Sequence, residues 1–487
     1  MQSAIFRVLL RHEVTSLYRN RVLVTLFSLI LVVLLAALWI GSSQLRTGQQ
    51  TIGRIQAHRQ AAQDSLTARI RRVEAAGMRY PGFIWDDPTF AYNTARNEGP
   101  QYAVKQPFAL QALATGQSEV QPWYYKVYIN RKQYLVHESE IDNSFLQFVG
   151  TFDFSFVVIY LLPLLIIVFT YNVLSAEKEQ GTWVLLKTSN QSIARLMLYR
   201  IGIRYALFTL FFWAVVGPVL AGLIGPAFLA SANWWWLVAF VSLYFAFWFA
   251  LAFLVNSFSQ SSNLNAMSLI FSWLLLSLLV PNLLQIALTR AYPIPSRITL
   301  STEERNAINR YFEKDGQALT KDVFSNPRTQ IRQASVVTPG MVYGYGVIVY
   351  KSQEIKDAAT QVAEGKLYGQ IERQQAAIRR WQLVSPALLM QEVLSALAGT
   401  HWHQFNQFSR DVDAFRYQTQ RFFYPKMASE STFRTFTVAD ARAIPQFRPR
   451  VYADYGWLHV GQALALYAGV VLLVLTLGYR RLTYASR

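Results

Sequence analysis

The chain has 487 residues, of which 53% are hydrophobic and 15% charged, and its mean hydropathy is +0.19. This composition is too apolar for an ordinary soluble protein and too polar for one that lies wholly within a membrane, so we expect membrane and aqueous parts. Lys and Arg number 46 against 28 Asp and Glu, a formal charge of +18. In a membrane protein this excess indicates the positive-inside bias and contact with anionic lipid rather than with nucleic acid. The absence of cysteine excludes disulfides, thiolate nucleophiles and cysteine-type metal sites.

Residues 1–21 intersperse apolar side chains with arginines, which is typical of an amphipathic helix lying on a membrane surface. The run from Val22 to Gly41 carries no charge and is long enough to cross about 30 Å of hydrocarbon. It exceeds the apolar core of a usual signal peptide and no A-x-A cleavage site follows. We therefore predict an uncleaved first span rather than a signal peptide.

Five further uncharged or nearly uncharged apolar runs predict five more membrane spans, six in all. They are Phe154–Leu174, Tyr205–Phe228, Trp234–Phe258, Leu264–Leu288 and Trp457–Tyr479.

Three basic segments determine the predicted orientation: residues 1–21, residues 175–204 and the tail 480–487. With six spans these segments fall on one side of the membrane, and the positive-inside rule makes that side cytoplasmic. Both termini are therefore predicted to be cytoplasmic.

The two long connecting segments, 42–153 and 289–456, then fall on the outer side, and each is large enough to contribute to a core. We expect them to form one α+β extracytoplasmic domain together. Its predicted elements are a helix at Gln44–Glu74 ended by Gly77 and Pro81, strands within Trp123–Val136 with a turn at Asn130 and Arg131, and helices at Glu354–Leu383 and Ala387–Ala398, the last capped by Gly399.

The common catalytic motifs are absent. The nearest approach to a phosphate-binding P-loop, Gly365 and Lys366, is followed by Leu367, and neither a G-x-S-x-G nor an H-E-x-x-H motif occurs. We therefore predict no catalytic residue and no cofactor in this chain. His401 and His403 could share a metal ion only on a strand, because residues two apart point in different directions on a helix. A helix end is the favoured interpretation of this pair, and no metal site is predicted.

Ionisable residues lie at the ends of the predicted spans rather than at mid-depth, which argues against a transporter driven by its own proton or ion coupling. Pro163, Pro218 and Pro281 lie within spans. They either kink the helices and open a lateral path or are ordinary prolines of membrane helices, and the sequence leaves both interpretations open.

The segment after the second span reads SAEKEQGTWVLLKT, from Ser175 to Thr188. It resembles the E-x-E-x-G-T element and following L-L pair of ABC-2 type permeases, the membrane subunits of a class of ATP-binding-cassette exporters. In that family the element forms a coupling helix in the first cytoplasmic loop and fits a cleft on the ATPase subunit. Asn190 stands where many members have proline. The matching residues, expected to dock the ATPase, are Glu177, Glu179, Gly181, Thr182, Trp183, Leu185 and Leu186.

A docking role also follows from the chemistry of these residues. The two glutamates can pair with cations of a partner, Gly181 permits a tight turn, and the apolar residues supply an anchor. The other interpretation is a solvated loop whose hydrophobic residues lie on lipid.

A second resemblance lies in residues 381–416, which are similar to the external region of a bacterial ABC-2 subgroup known mainly as a domain of unknown function, DUF3526. Phe408, Phe415 and Arg416 continue this similarity beyond the main motif. The motif residues are Ser385, Pro386, Gln391, Gly399, Thr400 and His403.

Together the resemblances imply a permease subunit of an ABC-2 exporter in the bacterial cytoplasmic (inner) membrane. They imply a second permease copy or paralogue and two copies of an ATPase subunit, which would bind the ATP and Mg. A periplasmic partner remains open, and no nucleic acid is expected.

Two other functions are compatible with the sequence. The first is a polytopic membrane enzyme acting on lipid-linked substrates at the outer face, with phosphate held by arginines such as Arg69, Arg71, Arg72, Arg379 and Arg380. The second is an assembly scaffold without transport. An enzyme would turn over alone, whereas a permease would need an ATPase.

Overall fold

A computed structural model describes residues 2–98, 101–106, 108–114, 124–129, 152–182, 192–258, 261–293, 297–314, 339–429, 431–450, 452 and 457–485. These residues are mostly helical, and six helices are long and apolar enough to cross a membrane. The prediction of a mainly α, polytopic membrane protein is confirmed. The spans are span 1, Arg21–Ala75; span 2, Phe154–Glu179; span 3, Ile193–Ile224; span 4, Ala232–Asn256; span 5, Ser262–Ala291; and span 6, Gly461–Tyr484.

Span 1 is one continuous helix that begins in the membrane and continues far beyond it. Its first backbone N–H groups are capped by Asn20, whose side-chain oxygen accepts from Leu23 N at 3.2 Å. Its 55 residues correspond to a length of about 80 Å. The helix ends at Ala75, and Gly77 follows with φ +64°, a left-handed conformation that favours glycine. The predicted helical continuation over Gln44–Glu74 is confirmed.

One end of the six-helix bundle gathers the basic segments. Helix α1, Gln2–Arg19, packs against span 3, and the guanidinium of Arg481 in span 6 lies 3.9 Å from the centroid of the Phe258 ring after span 4. We call this end, with α1, residues 175–182 and residues 480–485, the basic end. Span 3 begins at Ile193 rather than at Tyr205, so the arginines between these positions lie on a helix and not in a loop.

Spans 2 and 5 each contain a π-helical turn, at Val157–Leu161 and Leu275–Leu279. Each turn ends shortly before a proline, Pro163 or Pro281. A proline lacks the N–H that would bond to the preceding turn and its ring crowds the carbonyl there, which accounts for the wider local helix.

The carbonyl groups in these two turns bond to side chains instead. Ile159 O accepts from Tyr244 OH of span 4 at 2.7 Å, and Leu276 O accepts from Ser385 Oγ at 2.6 Å. The prolines therefore mark places where span 2 and span 5 are joined to other elements by side-chain hydrogen bonds.

Aromatic rings fill the core of the membrane bundle between spans 2, 3 and 4. Phe208 of span 3 contacts Phe245 and Phe249 of span 4 edge to face, with ring centroids 5.1 and 5.8 Å apart. Such pairs add about 0.5–1.5 kcal/mol each to the free energy gained by burial. Phe169 of span 2 contacts Phe208 and Phe249 as well, so the three spans share one aromatic cluster.

Outside the membrane bundle the two insertions pack against each other, and we call this part of the chain the outer domain. The amide of Ala91 donates to Phe433 O at 2.8 Å, and the amide of Phe436 donates to Thr89 O at 2.9 Å. Leu66 of the first insertion and Phe423 of the second also lie in the same hydrophobic core, so the two insertions fold together. The helices are α2, Ala91–Asn97; α3, Arg297–Lys314; α4, Pro339–Trp381; α5, Pro386–Ala398; α6, Trp402–Ala428; and α7, Val438–Ala443, with 3₁₀ turns at Ile84–Asp86, Ala109–Leu113 and Gln382–Val384. A further 3₁₀ turn, Pro226–Ala230, connects spans 3 and 4.

Two short strands, β1 at Gln101–Val104 and β2 at Tyr124–Val127, pair antiparallel, with Gln101 opposite Val127. The predicted strand after Trp123 is confirmed for β2, but its observed partner precedes it in the chain. The predicted turn at Asn130 and Arg131 lies outside the described residues.

A buried ion pair joins the two longest helices of the second insertion. The Arg416 side chain on α6 is fully buried and donates to the carboxylate of Asp357 on α4, with Nη2 to Oδ1 at 3.0 Å and Nη1 to Oδ2 at 3.3 Å. A paired guanidinium tolerates burial only with such geometry, so this contact specifies how α4 and α6 align.

Candidate functional site

A network of charged side chains lies at the basic end, centred on Glu13 of α1. The Glu13 side chain is fully buried and accepts from Arg200 Nε and from Arg204 Nε, each at 2.7 Å. Arg204 also donates to Phe169 O of span 2. Helix α1 is thereby attached to spans 2 and 3.

Arg200 extends the network to the last turns of span 2, which continues to Glu179 where the sequence predicts a loop from residue 175 onward. Its Nη1 donates to Glu177 Oε1 at 2.7 Å and to Val173 O at 3.2 Å. The other oxygen of Glu177 accepts from the hydroxyl of Thr182. Glu177 and Thr182, both predicted docking residues, are therefore held by each other and by span 3.

Glu179 contacts a different span. Its two oxygens accept from Ser262 N and Ser262 Oγ, each at 2.8 Å, at the first turn of span 5. A carboxylate at this position satisfies a free N–H and interacts favourably with the positive end of the helix dipole. Glu179 thus links the end of span 2 to the start of span 5.

Gly181 follows with φ +76°, a left-handed conformation that turns the chain away from the helix. The predicted apolar anchor, Trp183, Leu185 and Leu186, lies outside the described residues. Its docking role stays a prediction.

Burial raises the pKa of Glu13, but the attraction of Arg204 and Arg200 and their hydrogen bonds outweighs this effect, so the pKa of Glu13 lies below its ordinary value. Two guanidinium groups face two carboxylates, Glu13 and Glu177, so the cluster is balanced in charge. Such a cluster needs nothing from outside to neutralise it.

Sequence reasoning placed Glu177 and Glu179 on the docking surface and did not single out Glu13. A signal was available in the four-residue spacing of Arg200 and Arg204, which puts both on one helix face. The spacing has this meaning only on a helix, and the sequence predicts a loop where span 3 in fact begins.

The external motif forms the two ends of helix α5. Ser385 is the N-cap: its Oγ accepts from Leu388 N at 3.3 Å and donates to Leu276 O of span 5 at 2.6 Å. Pro386 occupies the first helical turn, where its missing N–H costs nothing. The motif therefore begins at a joint between the outer domain and the membrane bundle.

At the other end of α5, Gly399 has φ +73° and forms the predicted C-cap. Its carbonyl oxygen accepts from Lys105 Nζ at 2.8 Å, and the hydroxyl of Thr400 donates to Ala114 O at 3.0 Å. Gln391 bonds to Ser395 within the helix at 3.3 Å. Both ends of α5 are thus tied to other parts of the chain.

The apolar face of α5 covers the outer end of the bundle. Its buried side chains share one hydrophobic core with spans 1, 2, 3, 4 and 6 and with the 3₁₀ turn Ala109–Leu113. We call α5 and this turn the outer cap. The residues of α5 that belong to this core are Ala387, Leu389, Met390, Val393, Leu394, Leu397 and Ala398.

The histidine pair lies at a helix end, as the favoured interpretation predicts. His401 is the N-cap of α6, its ring accepting from His403 N at 3.1 Å and contacting Glu392 Oε2 at 2.6 Å. The ring of His403 contacts Gln407 at 3.0 Å instead. Within the described ranges, no group of three His, Asp or Glu side chains is arranged to hold a metal.

The arginines considered for a lipid-linked phosphate do not lie together. Arg69 is paired with Glu98 and lies about 40 Å farther along span 1 than Gly41. Arg379 and Arg380 are exposed near the end of α4, directly before the outer cap.

A family model described as a domain of unknown function, DUF3526, matches residues 297–450. The match covers most of the second insertion, from α3 through α7, and includes the whole external motif. No curated protein and no solved structure matches the chain.

Proposed function

We propose that the chain is the permease subunit of an ABC-2 type exporter in a bacterial cytoplasmic membrane, with both termini in the cytoplasm. Two ATPase subunits, which hold the ATP and Mg, dock at the basic end, and a second permease copy or a paralogue completes the complex. The outer domain faces the extracytoplasmic space.

The observation that supports this proposal is the way residues 175–182, at the end of span 2 and directly after it, are attached to their neighbours. Glu177 bonds to span 3, Glu179 bonds to span 5, and Glu13 brings α1 into the same network. A displacement imposed on this short segment would reach four helices at once. Ion pairs to a fully buried carboxylate fix this segment to its neighbours, which a part that transmits motion requires.

The network also refines the role of the two glutamates. Since both carboxylates already accept hydrogen bonds within the chain, Glu177 and Glu179 act as positioning residues that fix the segment. The contact with the ATPase then comes from the apolar side chains that follow, Trp183, Leu185 and Leu186.

The mechanism follows from these attachments. Nucleotide binding brings the two ATPases together and shifts the population of the permease between two arrangements. Because spans 2, 3 and 5 are joined at the basic end, they move as a unit there. At the other end, spans 2 and 5 contact the outer cap through their π-helical turns.

The test is to purify the protein from its native membrane in mild detergent and identify what accompanies it by mass spectrometry. Recovery of an ATP-binding-cassette subunit supports the proposal. Repeated recovery of the chain alone, with turnover of a lipid-linked substrate in the absence of ATP, would contradict it and favour a membrane enzyme.

The role of the glutamates is tested in the reconstituted complex with the double variant Glu177→Ala and Glu179→Ala. We expect normal insertion, retained binding of the ATPase and loss of the coupling between ATP hydrolysis and transport. Unchanged coupling would remove both residues from the transmission of motion.

A further inference from the structure

A cleft on the outer domain contains none of the residues to which the transport role is assigned. It lies between the outer part of span 1, the sheet and α7, where the two insertions meet, and it has a volume of about 110 Å³. That is enough for several waters or for the acidic group of a larger ligand. Its residue His58 lies about 25 Å beyond Gly41 along span 1, well away from the membrane and the outer cap.

The cleft is lined by positive charge. Arg59 and Lys126 face it, and within the described part of the chain neither forms an ion pair, while His58 lines the same cleft as a further hydrogen-bonding group. The carboxylate in the cleft, Glu98, is already paired with Arg69. A concave surface with unbalanced cations attracts an anion.

Side-chain amides line the same cleft. Gln446 Nε2 donates to Gln63 Oε1 at 3.0 Å, and this bond orients both groups. It leaves the amino group of Gln63 and the carbonyl oxygen of Gln446 able to bond elsewhere. Paired donors and acceptors of this kind suit the hydroxyl groups of a ligand.

A face of exposed and half-buried tyrosines adjoins the cleft. The strand register places Tyr102 opposite Lys126, and both line the cleft. Along β2 and the residues after it, burial alternates: Tyr125, Val127 and Ile129 are buried, whereas Tyr124, Lys126 and Tyr128 are not.

These outward side chains contact one another. The rings of Tyr102 and Tyr124 are 5.9 Å apart, and Tyr124 is 40% exposed. The ammonium of Lys126 lies 5.9 Å from the Tyr102 ring and 5.5 Å from the Tyr128 ring. Cation–π contacts hold the lysine over the tyrosines without neutralising its charge.

We propose that the cleft and its tyrosine face bind an anionic saccharide. The C–H face of a pyranose packs on the tyrosine rings, the amides bond to its hydroxyls, and its acidic group lies among Arg59, His58 and Lys126. Because the cleft lies far from the membrane that the protein spans, a free saccharide is favoured over a lipid headgroup of that membrane. This proposal does not rest on the transport role.

The test is isothermal titration calorimetry on the full chain in nanodiscs of zwitterionic lipid. Trigalacturonic acid is the probe, maltotriose is the neutral saccharide of the same length, and tricarballylate is an anion without sugar. We expect trigalacturonate to bind at least tenfold more tightly than either, and more weakly as salt is added because salt screens the charges. Equal binding of maltotriose would overturn the anion part of the proposal, and equal binding of tricarballylate would overturn the saccharide part.

Two variants locate the site. Lys126→Gln and Tyr102→Ala should each weaken trigalacturonate binding about tenfold, the loss of one good polar or stacking contact. Lys351→Gln is the matched control, since the ammonium of Lys351 also lies over a tyrosine, 5.0 Å from the Tyr350 ring, but outside the cleft. If Tyr102→Ala lowers the unfolding temperature, Tyr124→Ala replaces it. Unchanged binding in Lys126→Gln, or equal losses in Lys351→Gln, would place the ligand elsewhere.

Discussion

The carboxylate of Glu13 is fully buried between two guanidinium groups, so its neighbours depend on its charge. Removing one partner of a buried pair leaves the other charge uncompensated, at a cost of about 3–5 kcal/mol. We therefore expect Glu13→Gln to lower the unfolding temperature of the detergent-solubilised protein clearly. Glu313→Gln, the same change at an exposed position of α3, is the control and should have no effect. Equal unfolding temperatures for the two variants would show that the network contributes nothing to stability.

The buried side chain of Lys105 should make the stability of the protein depend on pH. Burial lowers the pKa of Lys105 to about 8 in the folded protein, below its value in an unfolded chain. Between these two pKa values the unfolded chain binds more protons, so this group makes folding more favourable as pH rises above 8. Thermal unfolding between pH 8 and pH 10 should show this rise in the native chain and less of it in Lys105→Met. Identical pH profiles would mean that Lys105 is charged normally.

Gly41 permits a close approach between two elements, span 1 and the outer cap. A Cβ at this position would overlap the backbone oxygen of Ala112, whereas a Cβ at Gly53 of the same helix would meet no atom within 4 Å. Alanine is favoured over glycine in a helix by about 1 kcal/mol. We expect Gly53→Ala to keep or raise the unfolding temperature and Gly41→Ala to lower it. If both variants raised, or both lowered, the unfolding temperature, the close packing at Gly41 would be contradicted.

Ser385 joins α5 to span 5, and its hydroxyl serves both elements. Loss of an N-cap costs about 0.5–2 kcal/mol, and an unpaired buried carbonyl about 1–3 kcal/mol. Ser385→Ala should therefore increase hydrogen exchange in α5, measured by mass spectrometry, while α6 keeps its protection. Ser385→Thr retains a hydroxyl and should exchange more slowly than the alanine variant. Exchange that rises equally in α5 and α6 would indicate general unfolding rather than a joint at this residue.

At the scale of the whole molecule, the two long insertions are predicted to lie on one side of the membrane and the basic end on the other. The absence of native cysteine makes this measurable. Gln361→Cys, on an exposed part of α4, should react with an impermeant maleimide in intact cells, and Arg480→Cys should react only after lysis. The reverse pattern would invert the proposed orientation.

Much of this architecture is predictable because its signals are local. The six spans follow from uncharged apolar runs, and the outer part of span 1 follows from a polar stretch without proline that ends near Gly77. The cap of α5 by Gly399 likewise depends only on neighbouring residues.

The features that could not be predicted depend on contacts between distant residues. Glu13 reaches arginines 187 and 191 positions away along the chain. The partner of β2 is a strand on its N-terminal side, which the hairpin pattern did not indicate. The cleft near Lys126 needs both insertions to form, so neither segment alone carries a recognisable motif for it.

Span 1 is a single helix that belongs to both the membrane bundle and the outer domain, so a change in its tilt moves both. Beyond Gly41 it extends by 34 residues, 42 through 75, or about 50 Å. A tilt of about 10° at the membrane would move its tip sideways by about 9 Å over that length. A small change in the tilt of span 1 at the membrane would therefore move the far end of this helix by more than the length of a side chain.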